Sequence, residues 1–91
     1  MKFTDVIAHS IKANEVKCVF GLQGGAVVHI FDSLERLNVP VVYTHHESSA
    51  SFAAAANAKS SNGLGCAVVT TGPGATNAIT GLMGAWQDSV P

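Results

Sequence analysis

Apolar positions recur at helical spacing at the start of the chain: Phe3, Val6, Ile7, Ile11 and Val16 follow one another behind Thr4-Asp5. This predicts a helix over 4–14 with that pair as its N-cap. "VKCVF" (16–20) is a short apolar run ended by "GLQGG", which reads as a buried strand entering a tight loop. In "AVVHIFDSLERL" (26–37), Val27, Ile30, Phe31, Leu34 and Leu37 form one stripe, hence a second helix. "VPVVYTH" (39–45) is the next strand, "ESSASFAAAANAKSS" (47–61) a third helix ended by Asn62-Gly63, and "GCAVVTTG" (65–72) a third strand. "PGATNAITGLMGAWQ" (73–87) predicts a fourth helix with Pro73 in its first turn.

A helix followed by three strand–helix units calls for an α/β fold: a three-layer parallel sheet, helices on both faces, right-handed crossovers. Burial on both faces is why the strands are continuous apolar runs. Three strands leave open sheet edges, and "DSVP" (88–91) looks like a helix exit leading into another strand. The expectation is one incomplete domain.

Composition sharpens this picture. Of the 91 residues 47% are apolar, which is ordinary, but only 12% are charged, about half the usual share. Such a shortage points to little free surface, hence to partner chains or further sequence. A net charge of −1 gives no footprint for nucleic acid or an anionic membrane. No apolar stretch reaches the ~18 residues of a membrane span, and Met1-Lys2 leads directly into a helix with no signal-peptide layout. Cytoplasmic placement is the default. Cys18 and Cys66 sit in apolar runs without ligand spacing and read as buried reduced thiols.

Ligands of open α/β sheets bind outside the carboxyl ends of the strands, where 21–25, 45–47 and 70–77 converge. The loop "GLQGG" is neither GxGxxG nor a Walker loop, and a tight turn without ligand explains its glycines equally well. "TTGPGATN" opens a helix whose amides suit an anion, but a dinucleotide site needs an acidic residue ~20 positions further on, past Pro91. Glu47 starts the Ala/Ser helix. Its plain role there is dipole stabilisation worth ~0.3–1 kcal/mol. Its neighbours on the following turns, Ala50, Ser51 and Ala54, are all small, so a backbone or a flat ligand can approach closely. A carboxyl in such a place can share a proton with a ligand nitrogen. His45 and His46, read as strand residues, point to opposite faces and do not chelate one metal; one is expected in a core or interface, the other in the cleft. Ser48, Ser49 and Ser51 lack a nucleophile elbow.

"VFGLQGGAVVHIFDSL", "THHESSASFAAAANAKSS" and "VVTTGPGATNAITGLMGAWQDSVP" together resemble, in order and spacing, the N-terminal pyrimidine-binding domain of thiamine-diphosphate enzymes. The nearest look is to the acetolactate synthase group, whose fold is flavodoxin-like. The resemblance spans nearly the whole chain. It implies that Glu47 is catalytic and hydrogen-bonds N1′ of the cofactor's aminopyrimidine, making the 4′-amino group acidic enough to take the C2 proton of the thiazolium. It implies that Thr70, Thr71, Gly72, Pro73 and Asn77 line the pyrimidine and that Gly24 and Gly25 belong to the loop across the cleft.

The implied activity is decarboxylation of a 2-oxoacid followed by ligation or release, as a transferase or lyase. The implied setting is an oligomer with the cofactor at a subunit interface, where the Ala/Ser helix packs on a close neighbour. Mg²⁺ and the diphosphate belong to a domain or chain beyond these residues, as does FAD in the central domain of acetolactate synthase. The isolated chain is therefore expected to be inactive. Gln23 stands where the family usually has proline, and Ser48-Ser49 replaces the usual Gln-Ala or Gln-Gly; both departures bear on the substrate. The alternatives are a separate pyrimidine-domain subunit of a two-chain 2-oxoacid decarboxylase of the sulfopyruvate or phosphonopyruvate type, a non-catalytic module that pairs with full-length subunits, and a flavodoxin-like binder of a flavin or nucleotide.

Overall fold

A computed structural model describes residues 2–91. In chain order it contains α1 (Phe3–Ala13), β1 (Val19–Gly21), α2 (Val28–Arg36), β2 (Val41–Tyr43), α3 (Glu47–Ser61), β3 (Cys66–Val68), α4 (Pro73–Asn77) and α5 (Ile79–Gln87). The strands form a parallel sheet in the order β2-β1-β3, with Val19 level with Val41 on one side and Cys66 on the other. This is the α/β architecture that the strand–helix alternation predicts.

The core lies between β1 and the α1/α2 pair: Ala8, Val16, Val19, Val27, Phe31, Leu34 and Val39 form one buried cluster. Val19 belongs to that cluster and a Cβ at Gly21 would strike Phe31, so both face α2 and, by alternation, Phe20 faces the other way. On that opposite face α3 packs against β1 and β3, and α5 packs against α3. The α1/α2 contact also carries polar groups. Asp5 Oδ1 accepts from Ser33 Oγ at 2.7 Å and from Arg36 Nη2 at 2.6 Å, while Ser33 and Thr4 share a hydroxyl bond of 2.9 Å.

The small residues of α3 are explained inside the chain. Ala50, Ser51, Ala54 and Ala58 are its buried positions. A Cβ on Gly65 would lie 2.5 Å from the Ala54 carbonyl oxygen, and one on Gly81 would overlap Ser51 Oγ and sit 2.9 Å from the Phe52 nitrogen. Helix α3 thus approaches the backbones of the β3 entry and of α5 with almost nothing between them. The helix ends at Asn62 (φ 54°, ψ 40°), a left-handed cap from which the Gly63 N–H donates to the Ala58 oxygen at 3.1 Å.

Several boundaries differ from the sequence reading. The third strand, expected over 65–72, spans only Cys66–Val68, and α2 runs Val28–Arg36 within the expected 26–37. The N-cap of α1 is Lys2; Asp5 lies in the first turn and its Oδ2 accepts the Lys2 N–H at 3.1 Å. The first strand begins at Val19, because Glu15 turns the chain at φ 58° and Val16 enters the core from a loop. The second strand spans only 41–43, since Pro40 has no N–H to pair, although its carbonyl accepts from Val19 N–H at 2.9 Å. The helix expected over 73–87 is two helices meeting at Ala78. Ser48 Oγ donates to the Asn77 carbonyl at 2.7 Å and so competes for the acceptor that an unbroken helix would offer to residue 81.

Candidate functional site at the strand carboxyl ends

Glu47 is the first residue of α3, and the entry to that helix is fixed by hydrogen bonds. Thr44 N–H donates to the Gly21 carbonyl at 2.8 Å, and Thr44 Oγ1 donates to the His46 carbonyl at 2.8 Å. His46 is the N-cap: its Nδ1 accepts the Ser48 N–H at 3.0 Å. Both His45 and His46 follow β2 and are exposed. Neither is a core residue, and the expectation of two strand histidines on opposite faces is corrected by the early end of β2.

The Glu47 side chain is half-buried. Asn77 Nδ2 donates to Glu47 Oε1 at 3.2 Å, joining the end of α4 to the start of α3 across thirty residues of sequence. The other oxygen, Oε2, lies 3.3 Å from the place a Cβ on Gly74 would take. That same Cβ would come within 2.8 Å of Thr70 Cγ2, and a Cβ on Gly24 within 2.6 Å of Thr70 Cβ. The loop after β1 and the loop after β3 therefore close on one another through Gly24, Thr70 and Gly74, and Gly74 also lies against the head of α3 at Glu47; a side chain at either glycine would strike Thr70.

Other residues singled out from the sequence stand apart from this knot. Gly25 and Gly72 have open space where a side chain would be, with Gly72 at φ 71°, and Thr71 and Pro73 are exposed. Thr44 is a site residue that pattern reading did not single out, and Gly74 and Ser48 were noted in the sequence without the contacts they make here. Gly74 was legible as the second glycine of the Gly-Pro-Gly run, whereas Ser48 acts through a carbonyl 29 residues away and leaves no local signal. Both cysteines are free and partly buried, and burial pushes both thiols up. Chemically, the site offers one carboxylate at a helix start, held at one oxygen by the Asn77 amide and lying close against the Gly74 backbone.

Comparison with known proteins identifies the family. A family described as thiamine pyrophosphate enzyme, N-terminal TPP binding domain, matches residues 1–91. The acetolactate synthase large subunit of Haemophilus influenzae is 42% identical over 88 residues, covering 96% of this chain and 15% of that protein. The probable acetolactate synthase large subunit of Methanocaldococcus jannaschii is 40% identical over 91 residues, all of this chain and 15% of the relative. The isozyme 2 large subunit of Escherichia coli is 40% identical over 85 residues, 93% of this chain and 16% of the relative. The chain thus spans under a fifth of the length of these relatives. With the family match running from end to end, the chain belongs to the thiamine pyrophosphate enzymes, within their N-terminal TPP-binding domain.

Proposed function

We propose that these residues form the pyrimidine-holding part of an acetolactate synthase-like enzyme that decarboxylates a 2-oxoacid and ligates or releases the product, with Glu47 as its catalytic carboxylate. The observation that carries this reading is the Glu47 carboxylate, held at one oxygen by Asn77 while the other has no hydrogen-bond partner among the described residues and lies close against the Gly74 backbone. When bound, thiamine diphosphate supplies the carbon nucleophile and the electron sink for loss of CO₂. The chain's own work is narrower. Glu47 holds a proton between its free oxygen and a ring nitrogen of the pyrimidine. Asn77 fixes the carboxylate so that the proton is presented in one direction. Gly24 and Gly74 let Thr70 pack between their backbones, which draws the two loops together beside Glu47. Thr70, wedged between those two glycines, fixes their spacing, while Thr71, Gly72, Pro73 and Gly25 form the open rim.

Among the described residues no three His, Cys, Asp or Glu side chains gather into a metal site. Because the chain spans under a fifth of its relatives' length, we assign Mg²⁺ and the diphosphate to a second domain or chain, and with them any FAD, an oligomeric assembly that completes the site, and catalytic competence. Among the described residues no helix is long and apolar enough to cross a membrane; a cytoplasmic setting is part of the proposal.

The test is Glu47→Gln in the full-length enzyme. Activity should fall by about 10²–10⁴-fold, the contribution of one positioned proton-transfer group, with circular dichroism and melting unchanged. Full activity in that variant overturns the assignment.

A further inference from the structure

Gln23 lies in the glycine loop next to Gly24, yet its side chain is engaged away from the Thr70 contact. Gln23 Nε2 donates to the Tyr43 hydroxyl at 3.3 Å, and that hydroxyl donates to Glu35 Oε1 at 2.8 Å. Three elements meet here: the loop after β1, the last residue of β2, and the exposed side of α2. The order of donors is forced. A phenol has one proton, and handing it to the carboxylate leaves oxygen lone pairs for the amide. Burial and the Glu35 carboxylate both push the phenol up, so that proton stays on Tyr43 through the neutral range. A carboxylate acceptor also polarises the hydroxyl and makes it a better acceptor in turn.

The ring beneath this hydroxyl is fixed as well. Phe31 packs on Tyr43 with centroids 5.1 Å apart at 55°. Phe31 is itself buried and fills the space a Cβ on Gly21 would need, since that Cβ would lie 2.5 Å from Phe31 Cζ. Strand exit, aromatic pair and hydroxyl therefore have one arrangement. The loop has little else to hold it. Gly24 and Gly25 bring no side chains, and its backbone ties are a long bond from Leu22 N–H to the Val68 oxygen (3.4 Å) and a turn bond from Val27 N–H to the Gly24 oxygen (3.1 Å).

We infer that Tyr43, backed by Glu35, is the positioning residue of the glycine loop and holds the Gln23 side chain aside, so that backbone at Gly24 forms the wall of the cleft beside Thr70. Its meaning for substrate rests on the function proposed above: a fixed wall beside the cofactor limits the 2-oxoacid side chain that fits. Its test needs no cofactor and no activity.

Amide hydrogen exchange in the full-length enzyme, read by mass spectrometry with fragmentation that resolves Leu22 and Val27, gives that test. Tyr43→Phe keeps the ring and removes the hydroxyl; it should speed exchange at both amides about two- to fivefold, the range expected for one exposed hydrogen bond. Exchange at Cys66–Val68 should stay unchanged. Glu35→Ala should act like Tyr43→Phe, whereas Glu35→Gln, which keeps an acceptor, should retain wild-type rates. Gln23→Ala should speed the same amides, and adding Tyr43→Phe to it should do nothing more. Unchanged loop exchange in Tyr43→Phe, an additive double variant, Glu35→Gln behaving as Glu35→Ala, or faster exchange spread through β3 would each overturn the inference. Failure here leaves the Glu47 assignment standing, and full activity of Glu47→Gln, which overturns that assignment, leaves the loop result untouched.

Discussion

Asp5 accepts hydrogen bonds from Ser33, from Arg36 and from the Lys2 N–H, in that order of effect, and together they hold its carboxyl well below the usual carboxylate range. A carboxyl whose value is lower in the folded state than in the unfolded chain stabilises the fold above the unfolded value, near 4. That stabilisation is lost as pH falls below it. The urea midpoint of the chain should therefore drop between about pH 5 and about pH 3, and Asp5→Asn should flatten the drop while lowering the midpoint at neutral pH. Equal pH dependence in the two proteins would show that the bonds to Asp5 are not what ties α1 to α2. The sequence showed Asp5 as a residue of a helix start and nothing more, because Ser33 and Arg36 reach it from 28 and 31 residues away. Glu47 was easier. Its position before a run of Ala and Ser marks a charged group at a place of close approach, and only its partner, Asn77, required the fold.

Between elements, the contact of α3 with α5 depends on what is missing. Gly81→Ala would drive a Cβ into Ser51 and the Phe52 backbone, and neither is a flexible chain end able to swing aside. Overpacking of this kind costs ~1–3 kcal/mol, which urea unfolding should report as a lower midpoint at unchanged slope. Gly65→Ala, aimed at the Ala54 carbonyl, should behave alike; a neutral result at both sites would mean that α5 can retreat from α3. The order of helices and strands was legible because each apolar run had one period and a clear stop. The division at Ala78 was not, since residues 73–87 keep helical character throughout and the break follows the Ser48 bond to the Asn77 carbonyl. The Ala/Ser composition was legible as close packing. Within the chain its partners are Gly65 and Gly81, and the neighbour expected at a subunit interface would meet the remaining exposed side of α3.

On the scale of the molecule, the low charge content has a visible counterpart. Ile79, Leu82, Met83 and Trp86 repeat at helical spacing along α5, and all four are exposed, Leu82 at 63% and Trp86 at 76%. Gly81 lies on the side of the same helix turned to α3. The chain should therefore enhance the fluorescence of a hydrophobic dye in its folded state, and the pair Leu82→Glu with Trp86→Glu should abolish most of that signal with unchanged circular dichroism. Persistent dye binding in the double variant would place the exposed apolar surface elsewhere, for instance at Val42 and Tyr43 on the sheet edge.

Asn62 followed by glycine is the pair most prone to slow deamidation, in which the next residue's backbone nitrogen attacks the asparagine side chain. In this structure that nitrogen belongs to Gly63 and is engaged, its N–H given to the Ala58 oxygen at 3.1 Å. The turn that stops α3 thus also protects the chain from chemical ageing. Storage at a temperature that frays the end of α3 would remove the protection well before the sheet melts, and mass spectrometry would show Asn62 converting first.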